Sequence, residues 1–286
     1  MTRSVAIVTG ASSGIGLETA RALLALDWHV IATGRDPARS AAAEAELRAS
    51  GRGQLDFLRA DMALMAETRR IADEIKSLTG RIDLLFNNAG GVRDARYISA
   101  EGTEETFAAN HLAPFLLTRE LLPLLEATAA EAPQASVRVL ATASRAYLMP
   151  RGLNWDDIQR LNGDFPAAAA YCEVKLANLL FTAELARRVA LLGIAAHALV
   201  PGPVATNFFN HGDATMRSHA GRAEALTPAE VAQTVVWMAT APETGLPSGR
   251  AFYEMAEVPI EPHGRDPEAA GRLWQVSEEI LASLGF

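Results

Sequence analysis

The chain has little of what several classes of protein require. Its single cysteine among 286 residues, Cys172, cannot form a disulfide within the chain. No apolar run of 18 residues occurs, and no basic start leads into an apolar signal stretch. The six histidines lack the spacing of a metal site, so we expect no metal. These absences predict a cytoplasmic protein that neither spans nor binds a membrane.

Positive charge is also scarce. The formal net charge is -8, from 26 basic and 34 acidic residues. A nucleic-acid partner requires clustered positive charge, so we expect no such partner. Lysine is rarer still, because Lys76 and Lys175 are the only two and all other basic residues are arginines. The surroundings of these two lysines are therefore informative.

Short apolar runs alternate with helical patterns along the chain, and 49% of its residues are hydrophobic. The predicted strands are 5–8, 29–32, 55–58, 82–86, 137–140, 194–200 and 250–253. The predicted helices are 15–26, 37–50, 64–78, 103–130, 167–192 and 267–284, with another beginning at Thr227-Pro228. This rhythm predicts an α/β fold with a doubly wound, Rossmann-type parallel sheet of about seven strands and helices on both faces. No linker or repeat interrupts residues 1–286, so we expect a single domain.

Tyr171 and Lys175 lie four residues apart in the predicted helix 167–192. Positions i and i+4 share one face of a helix, so the ammonium can lie beside the phenol. A neighbouring cation favours the phenolate and is expected to lower the tyrosine pKa. Such a tyrosine could exchange a proton with a substrate oxygen. The alternative is an unrelated phenol and amine on one helix.

A glycine-rich turn follows the first predicted strand. Residues 9–16 read T-G-A-S-S-G-I-G. The glycines permit a tight turn and close approach of the backbone to a pyrophosphate, and the following helix offers free N–H groups to it. The alternative is a strand-to-helix turn with no ligand. The position of the glycines directly after the first strand of an alternating fold favours the dinucleotide site over this alternative.

These motifs, in this order, resemble the short-chain dehydrogenase/reductase family over nearly the whole chain. The glycine turn, N-N-A-G at 87–90 and P-G-P-V-A-T at 201–206 match the family's cofactor motifs. The resemblance implies binding of a nicotinamide dinucleotide. The positions it implies for that cofactor are Gly10, Ser12, Ser13, Gly14, Ile15, Gly16, Asp61, Met62, Asn88, Ala89, Gly90, Tyr171, Lys175, Pro201, Gly202, Val204 and Thr206.

The end of the second strand bears on which dinucleotide binds. Members that prefer NAD carry an acidic residue where this chain has Gly34, and Arg35 follows at once. A guanidinium suits a 2′-phosphate through its charge and bidentate geometry, so we favour NADP(H) over NAD(H). Asp36 lies one position late for the acid's role and fits a helix cap better. The alternative is that Arg35 is a solvated charge and both cofactors bind.

The resemblance also implies four catalytic residues: Asn110, Ser144, Tyr171 and Lys175. Tyr171 would donate a proton to a carbonyl or remove one from an alcohol, and Lys175 would lower its pKa and bind the nicotinamide ribose. Ser144 would position the substrate oxygen, with Thr142 as a second hydroxyl nearby. Asn110 would hold a water that links Lys175 to solvent.

The region between Ser144 and Tyr171 bears on the substrate. Twenty-six residues separate the two, about twice the family's usual spacing, which together with K-L-A-N after Tyr171 resembles the retinol-dehydrogenase-like branch. That branch acts on apolar alcohols and carbonyls. Residues 204–226 would form a lid over the substrate. The candidate substrate contacts are Tyr147, Trp155, Phe208 and Phe209, although the two phenylalanines could equally pack the loop onto the domain.

The sequence thus predicts an NADP(H)-dependent oxidoreductase that interconverts an alcohol and a ketone or aldehyde, on a lipophilic small molecule. A non-catalytic dinucleotide sensor or scaffold of the same fold is the alternative, and a relative that catalyses epimerisation or dehydration is a third. The resemblance further implies a homodimer or homotetramer formed by the two long helices. Leu116, Leu117, Leu121, Leu179 and Leu180 could serve that interface or the core.

Overall fold

The computed structural model describes residues 3–50, 52–206, 208–217 and 225–286. Within them, eight strands form one sheet in the order β3-β2-β1-β4-β5-β6-β7-β8. The strands are β1 (Val5–Val8), β2 (His29–Gly34), β3 (Gln54–Arg59), β4 (Leu84–Asn87), β5 (Val137–Thr142), β6 (Ile194–Leu199), β7 (Ala251–Tyr253) and β8 (Ala256–Val258). The first seven are parallel. The predicted fold class is confirmed.

The strand count of about seven was one too low. β8 pairs antiparallel with β7 across a two-residue turn, in which Glu254 and Met255 have φ angles of 46° and 56°. Two successive positive φ values are typical of the tight hairpin turn whose twist matches that of the strands. This turn usually carries asparagine and glycine, which is why glutamate and methionine did not predict it.

The helices that cover the sheet follow the expected alternation. They are α1 (Gly14–Ala25), α2 (Pro37–Ser50), α3 (Met65–Leu78), α4 (Glu105–Phe107), α5 (Ala113–Ala130), α6 (Ala167–Arg188), α7 (Ala214–Arg217), α8 (Pro228–Thr240) and α9 (Pro267–Ser283). The expectation of one helix over 103–130 was wrong, because a π-helical turn, Ala108–Leu112, separates α4 from α5. Two helix starts are as predicted: Asp36 accepts a hydrogen bond from the Arg39 amide, and Thr227 forms a capping box with Glu230.

The core consists of an apolar layer on each face of the sheet. Alternate residues of β1 enter opposite layers: Ile7 packs with α3, α5 and α6, whereas Ala6 and Val8 pack with α1 and α8. Both faces are therefore buried, as the continuous apolar strands require. Among the described helices, none is both long and apolar enough to cross a membrane.

α9 covers the outer side of α5 and α6. The Trp274 ring lies 4.6 Å from the Phe115 ring and 6.0 Å from the Phe181 ring, measured between centroids. Arg119 forms an ion pair of 2.7 Å with Glu278. The five leucines considered for an oligomer interface are each at most 1% exposed, so they are core residues of this chain.

Candidate active site

The strand order reverses at β1, which lies between β2 and β4. In open α/β sheets, ligands bind in the crevice at the carboxyl ends of the strands at this point. The glycine turn and the N-N-A-G segment follow β1 and β4 there. Thr9 joins the two: its hydroxyl oxygen accepts hydrogen bonds of 2.9 Å from the Asn88 and Ala89 amides, and Asn88 donates to the Thr9 carbonyl.

The glycine turn needs its glycines. Gly10 has a φ of 69°, and a Cβ there would lie 2.9 Å from the Ala89 Cα. A Cβ at Gly16 would lie 2.4 Å from the Gly10 carbonyl oxygen. Ser13, at the N-cap of α1, makes no side-chain capping bond, so the first amides of the helix are open to an anion. These features fit the pyrophosphate of a dinucleotide.

The end of β2 leaves little room for a side chain at position 34. A Cβ on Gly34 would lie 2.5 Å from Ser40 Oγ and 3.0 Å from Ser12 Cβ. Arg35 is about half exposed, with a nitrogen 3.8 Å from an Asp61 carboxylate oxygen. Hydrogen bonding to the Arg39 amide lowers the pKa of Asp36 and engages its carboxylate at the start of α2. At the end of the crevice where the ribose would bind, Arg35 therefore offers a cation, whereas the carboxylate of Asp36 is engaged elsewhere.

Asn110 lies in the π-helical turn and fastens the loop after N-N-A-G. Its amide group donates to the carbonyls of Gly91 and Thr106 at 3.0 and 2.8 Å, and its oxygen accepts from the Gly91 amide at 3.3 Å. A Cβ on Gly90 would lie 2.4 Å from that oxygen. Both ends of the side chain are thus engaged with the surrounding backbone, and the expected water-holding role of Asn110 stays a prediction.

Ser144, Tyr171 and Lys175 meet where β5 ends against α6. Ser144 follows β5 and accepts a hydrogen bond from the Ala146 amide at 3.2 Å. The Lys175 ammonium lies 5.5 Å from the centre of the Tyr171 ring, so the two side chains share one face of α6 as predicted. The Ser144 side chain lies close enough to the Tyr171 phenol to affect its pKa. The structure thus brings Ser144, Tyr171 and Lys175 together.

Lys175 has a partner that sequence reasoning missed. Its ammonium donates to the Thr142 carbonyl at 3.0 Å, and Asn178 donates to the same oxygen, also at 3.0 Å. The Thr142 hydroxyl donates to the Asn88 side chain at 3.3 Å, so it is bound to the N-N-A-G segment and does not replace Ser144. The K-L-A-N sequence, with Asn178 three residues after Lys175, was the available signal.

The expected lowering of the Tyr171 pKa is wrong for this structure. Burial of the phenol raises its pKa, against the opposite effect of the hydrogen bond from Ser144. Burial also lowers the pKa of Lys175 to about 8. Burial disfavours the charged form of each group, and it is the largest cause of both shifts.

Of the candidate substrate contacts whose side chains the structure describes, Phe208 is the one placed against Tyr171. Its ring centre lies 5.4 Å from that of Tyr171. Tyr147 is 5% exposed and its hydroxyl accepts from the Glu261 amide, whereas Trp155 stacks on Arg272 of α9 at 4.5 Å. Both rings thus pack against the C-terminal region, and a contact of either with substrate stays a prediction.

The two ends of the segment 204–226, which we expect to form a lid, pair with each other. Val204 forms an isolated bridge with Leu226, and Leu226 exchanges backbone hydrogen bonds with Ala205 and Pro203. The Phe209 side chain and residues 218–224 lie outside the described residues. Gly202, just before the segment, has a φ of 69° and adjoins Tyr253. Both ends of the segment thus meet beside the carboxyl end of β6.

The comparisons with known proteins define the class. A family model described as short chain dehydrogenase matches residues 4–154, more than half of the chain. The chain therefore belongs to the short-chain dehydrogenase/reductase family. It is an oxidoreductase of the alcohol/carbonyl type with the fold that binds NAD(P).

Particular relatives narrow this further, to the expected retinol-dehydrogenase-like branch. Human retinol dehydrogenase 14 is 34% identical over 300 residues, covering 97% of this chain and 86% of that protein. Mouse polyprenol dehydrogenase is 35% identical over 280 residues, covering 94% and 81%. The crystal structure of an uncharacterised protein from Mycobacterium Paratuberculosis matches with a TM-score of 0.73 at 29% identity, covering 98% of this chain and 93% of that one.

Proposed function

We propose that this chain is an NADP(H)-dependent oxidoreductase that interconverts alcohols with ketones or aldehydes of lipophilic small molecules, with Tyr171 as the general acid/base. The observation that carries the proposal is the meeting of Ser144, Tyr171 and Lys175 beside a crevice whose glycine turn fits a dinucleotide. The dinucleotide, when bound, supplies or accepts the hydride.

The protein's own part is to hold and move a proton. Because burial keeps the pKa of Tyr171 high, its phenol is protonated at neutral pH and can donate to a carbonyl oxygen during reduction. Ser144, whose oxygen accepts from the Ala146 amide, has one hydroxyl proton to donate to the oxygen on which charge develops. The Lys175 ammonium, fixed by the Thr142 carbonyl, stabilises the phenolate that remains after transfer.

The preference for NADP(H) rests on the end of β2. Arg35 is exposed toward solvent beside Asp61, where a 2′-phosphate could pair with its guanidinium. Ser40 and Ser12 fill the space that an acid at position 34 would occupy. Together these features support the phosphorylated cofactor over NAD(H).

The lipophilic substrate class is supported by Phe208 and by the relatives. The Phe208 ring against Tyr171 gives an apolar contact at the reacting centre, on a segment that we propose forms a lid over the substrate, residues 204–226. Two relatives are named for dehydrogenation of retinol and polyprenol, both apolar alcohols. A dinucleotide sensor would not require the proton-transfer residues, which argues against that alternative.

The test is a screen of NADPH oxidation against apolar ketones and aldehydes, with NADH in parallel. Tyr171→Phe should bind NADPH with the affinity of the wild-type chain but lose roughly two to four orders of magnitude in kcat, because it lacks the proton donor. Turnover that survived this change would refute the role of Tyr171. Turnover with NADH alone would refute the cofactor preference.

Location and assembly are also proposals. A cytoplasmic enzyme would be recovered in the soluble fraction of its cell after high-speed centrifugation, without detergent. A homodimer or homotetramer would need surfaces other than the five buried leucines, since α9 covers α5 and α6. Light scattering at several concentrations measures the state directly.

A further inference from the structure

An arginine in the loop after β4 binds the long segment between Ser144 and Tyr171. Arg96 donates to three backbone carbonyls of that segment: to Arg160 at 2.7 Å, to Asn162 at 2.9 Å and to Gly163 at 2.6 Å. Its guanidinium also lies 5.6 Å from the Phe165 ring centre. A planar guanidinium with five donors is suited to hold several acceptors at once.

The same segment is bound from its other side by α6. Arg160 forms a bidentate ion pair with Glu173, at 2.8 and 2.6 Å, and both side chains are less than one-fifth exposed. Glu173 lies two residues after Tyr171. Partly buried, bidentate pairs fix geometry more firmly than exposed single contacts do. The segment is therefore tied directly to the catalytic helix.

The backbone at this point is strained and tightly packed. Arg160 has a φ of 49°, which is uncommon for a residue other than glycine and persists where the surroundings impose it. Asp157 accepts from the Leu161 and Asn162 amides at 2.8 Å each, closing the turn. The cavity between this turn and α6 measures about 10 Å³, room for about one water. The segment is thus held in one position.

We propose that Arg96, Arg160 and Glu173 form a loop clamp that positions the segment 149–166 as one wall of the substrate cleft. The clamp joins the loop that follows the cofactor motif N-N-A-G to the helix of Tyr171, at the carboxyl ends of β4 and β5. Its three residues are positioning residues: they do not touch the reacting atoms, and they act by holding the segment and α6 in place. The substrates it affects are those large enough to reach this wall. This inference rests on the proposed function.

The test replaces Arg96 with glutamine, which removes the charge and most of the donors. For a large apolar carbonyl substrate found in the NADPH screen, KM should rise about tenfold in Arg96→Gln, because a displaced wall misplaces the substrate. KM for a short-chain aldehyde and the Kd for NADPH should stay within about twofold. Arg48→Gln is the matched control, since it removes an exposed pair of 2.7 Å with Glu44 on α2.

Charge exchange separates positioning from general stabilisation. Arg160→Glu and Glu173→Arg should each raise KM for the large substrate, and the double variant should recover part of the loss. Hydrogen exchange of the amides in 157–163 should be faster in Arg96→Gln than in Arg48→Gln. Equal rises in KM for large and small substrates, a lowered Tm with unchanged KM, or unchanged exchange would overturn the proposal.

The two proposals can fail separately. If the wild-type chain reduces no carbonyl, the proposed function fails, and hydrogen exchange in the presence of NADPH still tests the clamp. If the wild type turns over and only the selective change in KM is missing, the clamp fails while the proposed function stands.

Discussion

Lys175 should set the alkaline limit of carbonyl reduction. Its ammonium is buried beside Tyr171 and bonded to the Thr142 carbonyl, and burial lowers its pKa to about 8. Only the charged lysine stabilises the phenolate left after proton transfer. A lysine with this pKa is charged below pH 8 and loses its charge as the pH rises through that value, while burial keeps Tyr171 protonated to higher pH.

The magnitude follows from the titration. One pH unit above its pKa, about one lysine in eleven is still charged, so kcat/KM for reduction should be roughly tenfold lower near pH 9 than near pH 7. The assay is NADPH oxidation from about pH 6 to about pH 10. Lys175→Arg keeps a cation at every pH, because an arginine is charged throughout this range. The variant should be slower but should lose the decline near pH 8. A decline at the same pH in Lys175→Arg would refute the assignment, because another group would then be titrating.

Three further predictions follow from packing and charge. Gly34→Asp should bind neither NADPH nor NADH, because the new Cβ would lie 2.5 Å from Ser40 Oγ. The double variant with Ser40→Ala removes that oxygen and should bind NADH in preference to NADPH, and binding titrations with both cofactors measure the difference. Trp274→Ala should lower the free energy of unfolding by about 3 kcal/mol, measured in urea, because it removes the packing of α9 on Phe115 and Phe181; an unchanged free energy of unfolding would contradict this packing role. Burial lowers the pKa of His111 to about 3, below its unfolded value, so the stability that the neutral histidine contributes is present above about pH 6.5 and is lost as the pH falls. His111→Gln should therefore lose less stability than the wild type between about pH 7 and pH 5. Equal shifts of the urea midpoint in the two proteins over this range would refute the prediction.

The alternating fold was predictable because its signal is local. Val5–Val8 is apolar throughout and His29–Gly34 contains the apolar run Val30-Ile31-Ala32, which is typical of strands buried on both faces. The features that were missed depend on exceptions to local rules. The turn at Glu254 and Met255 places two ordinary residues at positive φ, and the π-helical turn at Ala108–Leu112 interrupts a pattern that reads as one continuous helix.

The candidate site, like the fold, has parts that the local sequence predicts and parts that it does not. Tyr171 and Lys175 were predicted to share a face because four residues on one helix fix that relation. The contacts of Asn110 with Gly91 and of Arg96 with the segment before α6 join residues 19 and at least 64 positions apart, which no spacing rule reaches. The partners of Tyr147 and Trp155 were not predicted for the same reason: they lie in the C-terminal region, and only the folded chain brings that region to these two residues.

The pKa values of Tyr171 and Lys175 show what residue spacing can predict and what depends on burial. The i, i+4 spacing correctly placed a cation beside a phenol, but a pKa depends on solvation as well as on neighbouring charge. Burying both groups disfavours phenolate and ammonium alike, so the pair that sequence reasoning expected to be charged is driven toward its neutral forms. The Thr142 carbonyl and Ser144 offset part of this effect through hydrogen bonds. The reactivity of the tyrosine is therefore set by the surroundings that β5 and α6 build together, and the motif on α6 supplies only one part of it.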